Sequence, residues 1–143
     1  MTLAPDKVAR YIQFVKYCMV GVLNTLVTYG VIYLCKSFLG MNLYVCNALG
    51  YLAGLTNSFF CNKSWVFKSS GSYRREMTRF FAGFAICYAL QFILVWMLTE
   101  SEFGSLEFMI CGIVISGYGI ATVLGNIVYT LANFVYNKLV TFR

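Results

Sequence analysis

The chain contains no histidine, a single proline and only five acidic residues, and 11% of its 143 residues are charged. Each shortage excludes something. Without histidine, and with six cysteines that form no Cys-x-x-Cys pair, the residue set of an ordinary transition-metal centre is missing. Cys18, Cys35, Cys46, Cys61, Cys87 and Cys111 are then expected to act as small apolar packing residues. The one proline, Pro5, lies in the polar N-terminal segment, so no apolar stretch carries a proline kink. Asp, Glu, Lys and Arg are absent from the centres of four long apolar runs. That absence removes the intramembrane carboxylate on which small proton-driven exporters depend.

What the chain has instead is apolar surface: hydrophobic residues make up 60% of it and aromatics 18%. Uninterrupted runs at 17–35, 37–62, 80–99 and 108–137 each meet the roughly 20 residues needed to cross about 30 Å of hydrocarbon. They lack the period-two alternation of a membrane barrel. The expected fold is therefore an all-α membrane protein, one domain over 1–143, with four transmembrane helices at about 15–36, 42–62, 80–99 and 108–137. The first run is longer than a signal-peptide core and no small-residue cleavage site follows it, so it reads as a span.

The net charge of +6 is sorted by position and forms no soluble patch, which argues against nucleic acid as a partner. Lys7, Arg10 and Lys16 precede the first span, Lys63, Lys68, Arg74, Arg75 and Arg79 lie between the second and third, and Lys138 and Arg143 end the chain. The other two connections hold Lys36 alone and Glu100, Glu102 and Glu107. Positive charge stays on the cytoplasmic side, so both termini and the central connection are expected there. Within that connection, Ser69, Ser70, Gly71 and Ser72 read as a flexible turn between two halves.

A shift of 75 residues lays Asn47 over Thr122 and matches Leu49, Gly50, Phe59, Asn62, Lys63 and Phe67 with identical residues. The best-matching part runs from Asn62-Lys63 to Phe67-Lys68 and from Asn137-Lys138 to Phe142-Arg143. The two helical hairpins are thus expected to be parallel duplicates, related by an axis along the membrane normal.

Gly50 with Gly54, and Gly117 with Ala121 and Gly125, recur four apart and read as packing seams, or alternatively as a cleft for a lipid chain. The polar residues within the spans are amides: Asn24, Asn47, Asn57, Gln91, Asn126 and Asn133. They serve either as interhelical hydrogen bonds or as a neutral path for sugar hydroxyls. Ser58 with Asn62, and Asn133 with Asn137, fall four apart on one helical face, each followed by a lysine at 63 and 138. With Lys16 and Arg79 these lysines form either a ring for a lipid phosphate or ordinary contacts to anionic headgroups. Trp65, Phe67 and Phe142 read as interfacial anchors. No catalytic constellation is present and a nucleotide-sugar domain has no room, so the chain is not expected to be an enzyme.

The chain resembles the GtrA-like family of small four-helix membrane proteins, on the stretch from Phe14 through Gly21 and Asn24-Thr25, on Asn57 to Phe67, and on Asn133 to Arg143. The resemblance implies a flippase in the bacterial cytoplasmic membrane, moving a polyprenyl-phosphate-linked monosaccharide for surface polysaccharide, O-antigen or teichoic-acid glycosylation. On that reading Lys16, Asn62, Lys63, Arg79, Asn137 and Lys138 hold the lipid phosphate, and Asn24, Asn57, Ser58, Gln91, Asn126 and Asn133 line the sugar path. No cofactor is expected. The alternative is a non-transporting scaffold that recruits a polyprenyl-phosphate glycosyltransferase through the basic central connection. Membrane lipids are partners on either reading, and self-association is compatible with both.

Overall fold

A computed structural model describes residues 5–110 and 113–143 of the chain. Four long helices are present: α1 (Pro5–Ser37), α2 (Leu43–Cys61), α3 (Tyr73–Glu100) and α4 (Gly117–Tyr136). α1 and α3 start well before the expected 15 and 80, because the charged segments ahead of the apolar runs contain no helix breaker and continue the helix. Pro5 is tolerated as the first helical residue, where its missing N–H would have had no partner.

α1, α3 and α4 are each long and apolar enough to cross a membrane. α2 has 19 residues and is diluted by Asn47, Thr56, Asn57 and Ser58, yet at about 1.5 Å per residue it reaches about 28 Å. Large side chains such as Leu26 and Phe92, each 65% exposed, cover the outside of the helices. This is the outward-facing surface that lipid, not water, accommodates. Residues up to Gly71 together with Phe142 form one compact unit, and Ser72–Thr141 with Arg143 form another.

In the first unit α1 and α2 make a hairpin. Gly40 turns the chain at φ 58°, and the Met41 N–H closes back on the Cys35 carbonyl at 3.2 Å. Asn42 caps α2, its Oδ1 accepting from the Tyr44 N–H at 2.8 Å. Gly50 and Gly54 are buried against α1: a Cβ on Gly54 would overlap the Thr28 hydroxyl and meet the Asn24 carbonyl.

α2 runs on into a five-residue π-helical turn, Asn62–Val66, where the Phe67 N–H bonds the Asn62 carbonyl at 2.9 Å. Lys68 then takes a left-handed φ of 51°, and the Ser69 N–H reaches the Lys63 carbonyl at 2.9 Å. Ordinary helices close this way across one residue fewer; the wider π turn accounts for the difference. Phe67 and Phe142 stack with ring centroids 5.0 Å apart, and Phe59 and Tyr17 complete the cluster. The two phenylalanines expected as interfacial anchors are therefore packing residues. Trp65, 42% exposed, keeps the outward position expected of it.

In the second unit the fourth helix does not begin at 108. Glu107–Ile110 (β1) and Ile113–Ser116 (β2) pair antiparallel, Glu107 opposite Ser116, and α4 starts only at Gly117. β-Branched Ile113, Val114 and Ile115 are stiff at χ1, and the glycines at 112, 117 and 119 weaken helix further. Apolarity alone could not separate the two structures. Cys111 lies outside the described residues.

The Ser116 hydroxyl caps α4 by accepting from the Gly119 N–H at 3.2 Å. Gly125 meets Val95 and Gln91 of α3, and Gly83 lies against the Tyr136 ring. Gly117, Ala121 and Gly125 are all buried, as the four-residue spacing predicts. α4 ends in a second five-residue π turn, Asn137–Thr141, which begins on Asn-Lys as the first does. Of the described cysteines Cys35, Cys46 and Cys87 are buried, whereas Cys18 is exposed and Cys61 is half-buried.

Close approach at the glycines sets an expected contrast. Gly54→Ala, which drives a methyl into Thr28, should destabilise the protein by about 1–3 kcal/mol in a thermal-unfolding series in detergent. Gly30→Ala, with nothing within 4 Å of the added Cβ, should leave stability within about 0.5 kcal/mol of wild type.

Candidate functional site

Amides inside a membrane helix must find partners within the protein, because hydrocarbon offers none. In the first unit Asn57 Nδ2 donates to Asn24 Oδ1 at 2.8 Å, and Asn57 Oδ1 accepts from the Cys61 thiol at 3.6 Å. In the second, Gln91 Nε2 donates to Asn126 Oδ1 at 2.7 Å. Each bond lies beside a glycine seam, Gly54 in one hairpin and Gly125 in the other. Removing the Cβ brings the two backbones close enough for short amide side chains to meet. Four of the six residues expected along a sugar path thus make interhelical hydrogen bonds, and Cys61 bonds to one of them within α2.

The remaining two, Ser58 and Asn133, lie in the last turns of α2 and α4, just ahead of the π turns. Ser58 pairs with Asn62, whose Nδ2 donates to the Ser58 carbonyl at 2.8 Å and to its hydroxyl at 3.2 Å. Asn137 Nδ2 donates to Asn133 Oδ1 at 3.3 Å, and Asn133 Nδ2 to the Tyr129 hydroxyl at 3.4 Å. The four-residue spacing thus brings each pair together as expected. Asn62 and Asn137 are 1% and 0% exposed, and the Oδ1 of each is buried without a hydrogen-bond partner, as is the Thr141 hydroxyl.

The expected cations gather at these turns, unit by unit. In the first, Lys16 of α1 lies over the Trp65 ring at 5.3 Å, and Gln13 donates to the Val66 carbonyl at 3.4 Å. Lys63 is 4% exposed, and its ammonium donates to the Gly71 carbonyl at 2.7 Å, which ties down the start of the central connection. In the second, Arg79 of α3 donates to the Val140 carbonyl at 3.0 Å, and Lys138 lies over the Phe134 ring at 5.7 Å. Lys16 and Arg79 therefore each brace the π turn of their own hairpin, and cations suit such C-terminal carbonyl ends.

Sequence reasoning missed Gln13, Tyr129 and Glu76. Glu76 is 3% exposed, on the buried stripe with Phe80, Gly83 and Cys87. Its spacing of four from Phe80 and seven from Gly83 was the available signal. Among the described residues no group of three or more His, Cys, Asp or Glu could hold a metal ion.

These features define a small multi-pass helical membrane protein whose intramembrane polar chemistry is neutral and whose cations collect at the hairpin ends. A model of the GtrA/DPMS transmembrane domain matches residues 16–142, and the chain belongs to that family. It is 24% identical over 131 residues to the cell wall teichoic acid glycosylation protein GtcA of Listeria innocua, covering 89% of this chain and 82% of that one. It is 28% identical over 130 residues to the bactoprenol-linked glucose translocase of Shigella phage SfII, covering 91% and 94%. A prophage homolog of that translocase in Escherichia coli is 36% identical over 64 residues, covering 45% and 53%.

A double-mutant cycle on Asn24→Ala and Asn57→Ala should return a coupling energy of about 0.6–2 kcal/mol, read from reversible unfolding in mixed micelles. A coupling indistinguishable from zero would mean that the two amides do not bond across the helices.

Proposed function

We propose that the protein moves a polyprenyl-phosphate-linked monosaccharide from the inner to the outer leaflet of the bacterial cytoplasmic membrane, supplying glycosylation of a surface polymer. Relatives named as bactoprenol-linked glucose translocases, matched over nearly the whole chain, support the substrate class. A relative named for teichoic acid glycosylation supports the destination. The sorted charge supports cytoplasmic termini and central connection, with the β1–β2 hairpin outside.

The observation that carries the reading is the pair of buried asparagine carbonyls, Asn62 Oδ1 and Asn137 Oδ1, each left without a donor in its π turn. A buried acceptor without a donor costs about 1–3 kcal/mol, and a sugar hydroxyl supplies the donor it lacks. Turns of this kind are frequent at functional sites. The same features recurring 75 residues apart, as the difference between positions 62 and 137, support a duplicated hairpin. With no Asp, Glu, Lys, Arg or His at the span centres, transport lacks the usual side chain for ion coupling; consumption of the sugar lipid outside supplies the gradient. Catalysis has no part in this.

A scaffold role is the second reading, favoured by the exposed Lys68, Arg74 and Arg75 on the central connection, which a glycosyltransferase could contact. Transfer between leaflets separates the two. Purified protein in liposomes should accelerate transfer of a labelled polyprenyl-phosphate sugar at least tenfold over protein-free vesicles. Asn62→Leu and Asn137→Leu should each cut that rate about tenfold while lowering stability by about 1–3 kcal/mol, because each change removes the carbonyl without a donor but also the Nδ2 bond to Ser58 or Asn133. A wild-type protein that moves no lipid sinks the transport reading.

A further inference from the structure

The first two turns of α3 carry an open pocket of about 450 Å³ lined by Ser72, Arg74, Arg75, Thr78 and Arg79. Three arginines line it together with two hydroxyl-bearing residues, and none of its lining residues is acidic. Helical geometry explains the concentration. At 100° per residue Arg74, Arg75 and Thr78 are turned away from the buried stripe that runs from Glu76 through Phe80 and Gly83 to Cys87, while Ser72 and Arg79 flank it.

Glu76 is the single acid between the second and third spans. Of the three arginines only Arg79, three residues on, is at a spacing that faces it; Arg74 and Arg75, two and one residues away, are not. Glu76 is itself 3% exposed, on the packed stripe. Arg79 is already oriented by its bond to the Val140 carbonyl, and the Thr78 hydroxyl donates to the Arg74 carbonyl at 3.0 Å. Arg74 and Arg75 remain exposed, at the level where α3 leaves its charged start for its apolar run.

We propose that this pocket binds a phosphate group, with Arg74 and Arg75 as its principal ligands and Arg79, Ser72 and Thr78 as its floor. Arginine presents paired N–H donors matched to phosphate oxygens, and three arginines in one pocket exceed what sidedness alone demands. The position moves the phosphate contact away from Lys63, whose ammonium is committed to Gly71, and onto the arginine face of α3. It rests on the transport reading only for the assumption that the phosphate belongs to a lipid. A free phosphate has the same chemistry.

The test uses the full chain in phosphatidylcholine nanodiscs and the equilibrium binding of a fluorescent polyprenyl monophosphate. The variants are Arg74→Gln/Arg75→Gln and, as a charge-matched control at the start of α1, Lys7→Gln/Arg10→Gln. The first should weaken binding at least tenfold, about 1.4 kcal/mol, and the control less than threefold. Arg74→Lys/Arg75→Lys, which keeps the charge if the glutamine variant fails to fold, should fall between them. Competition by millimolar inorganic phosphate assigns recognition to the phosphate itself, whereas resistance to it shows that the lipid chain is also needed; either supports the site. Equal losses in the two glutamine variants, or equal displacement by nanodiscs containing phosphatidylglycerol, would overturn it in favour of general anionic attraction. Binding is measured without transfer, so a protein that binds through these arginines yet moves no lipid leaves the pocket standing and removes the transport reading alone.

Discussion

A polar group inside hydrocarbon has no solvent to return to, and the arrangement of both hairpins follows from that constraint. Asn24 meets Asn57, and Gln91 meets Asn126, only because glycines at 54 and 125 let the paired helices close up. A larger residue at either position would hold the backbones apart and leave two amides unpaired in an apolar medium. Glycine seam and amide bond are therefore one device, used once in each hairpin.

At the hairpin ends the constraint relaxes and the chemistry changes. Each closing helix widens into a π turn that begins on asparagine and lysine, and each turn is braced from the first helix of its own hairpin, through Gln13 and Lys16 or through Arg79. The buried asparagine carbonyls show that bracing stops short of full satisfaction. These neutral acceptors without donors stand at the starts of segments whose backbone closes in wider, five-residue turns. Charged groups are kept off the span centres and gathered where water or headgroups can reach them, as the arginine face of α3 illustrates.

Much of this was legible in the chain. Apolar runs located all four helices, and the four-residue spacing of Gly50 with Gly54, and of Gly117, Ala121 and Gly125, picked out the seams. Asn62 and Asn137 were visible as matched positions. Two kinds of feature were not. Helix boundaries at Pro5 and Tyr73 lie beyond the apolar runs, since hydropathy reports contact with lipid while helix continues wherever nothing breaks it. Residues 108–116 read as helix because hydropathy has no period there, whereas β-branched residues flanked by glycine fold into a hairpin.

The sequence by itself determined that the chain lives in a membrane, which of its connections carry the basic residues, and which residue types are available for polar work, because these depend on composition along the chain. Only the tertiary structure decided what each polar side chain does. It bonded Asn57 to Asn24, committed Lys63 to a loop carbonyl and buried Glu76 in the packed stripe, with three arginines lining one pocket at the start of α3. Partner choice is a matter of distance and direction between helices, and linear spacing specifies those only within one helix.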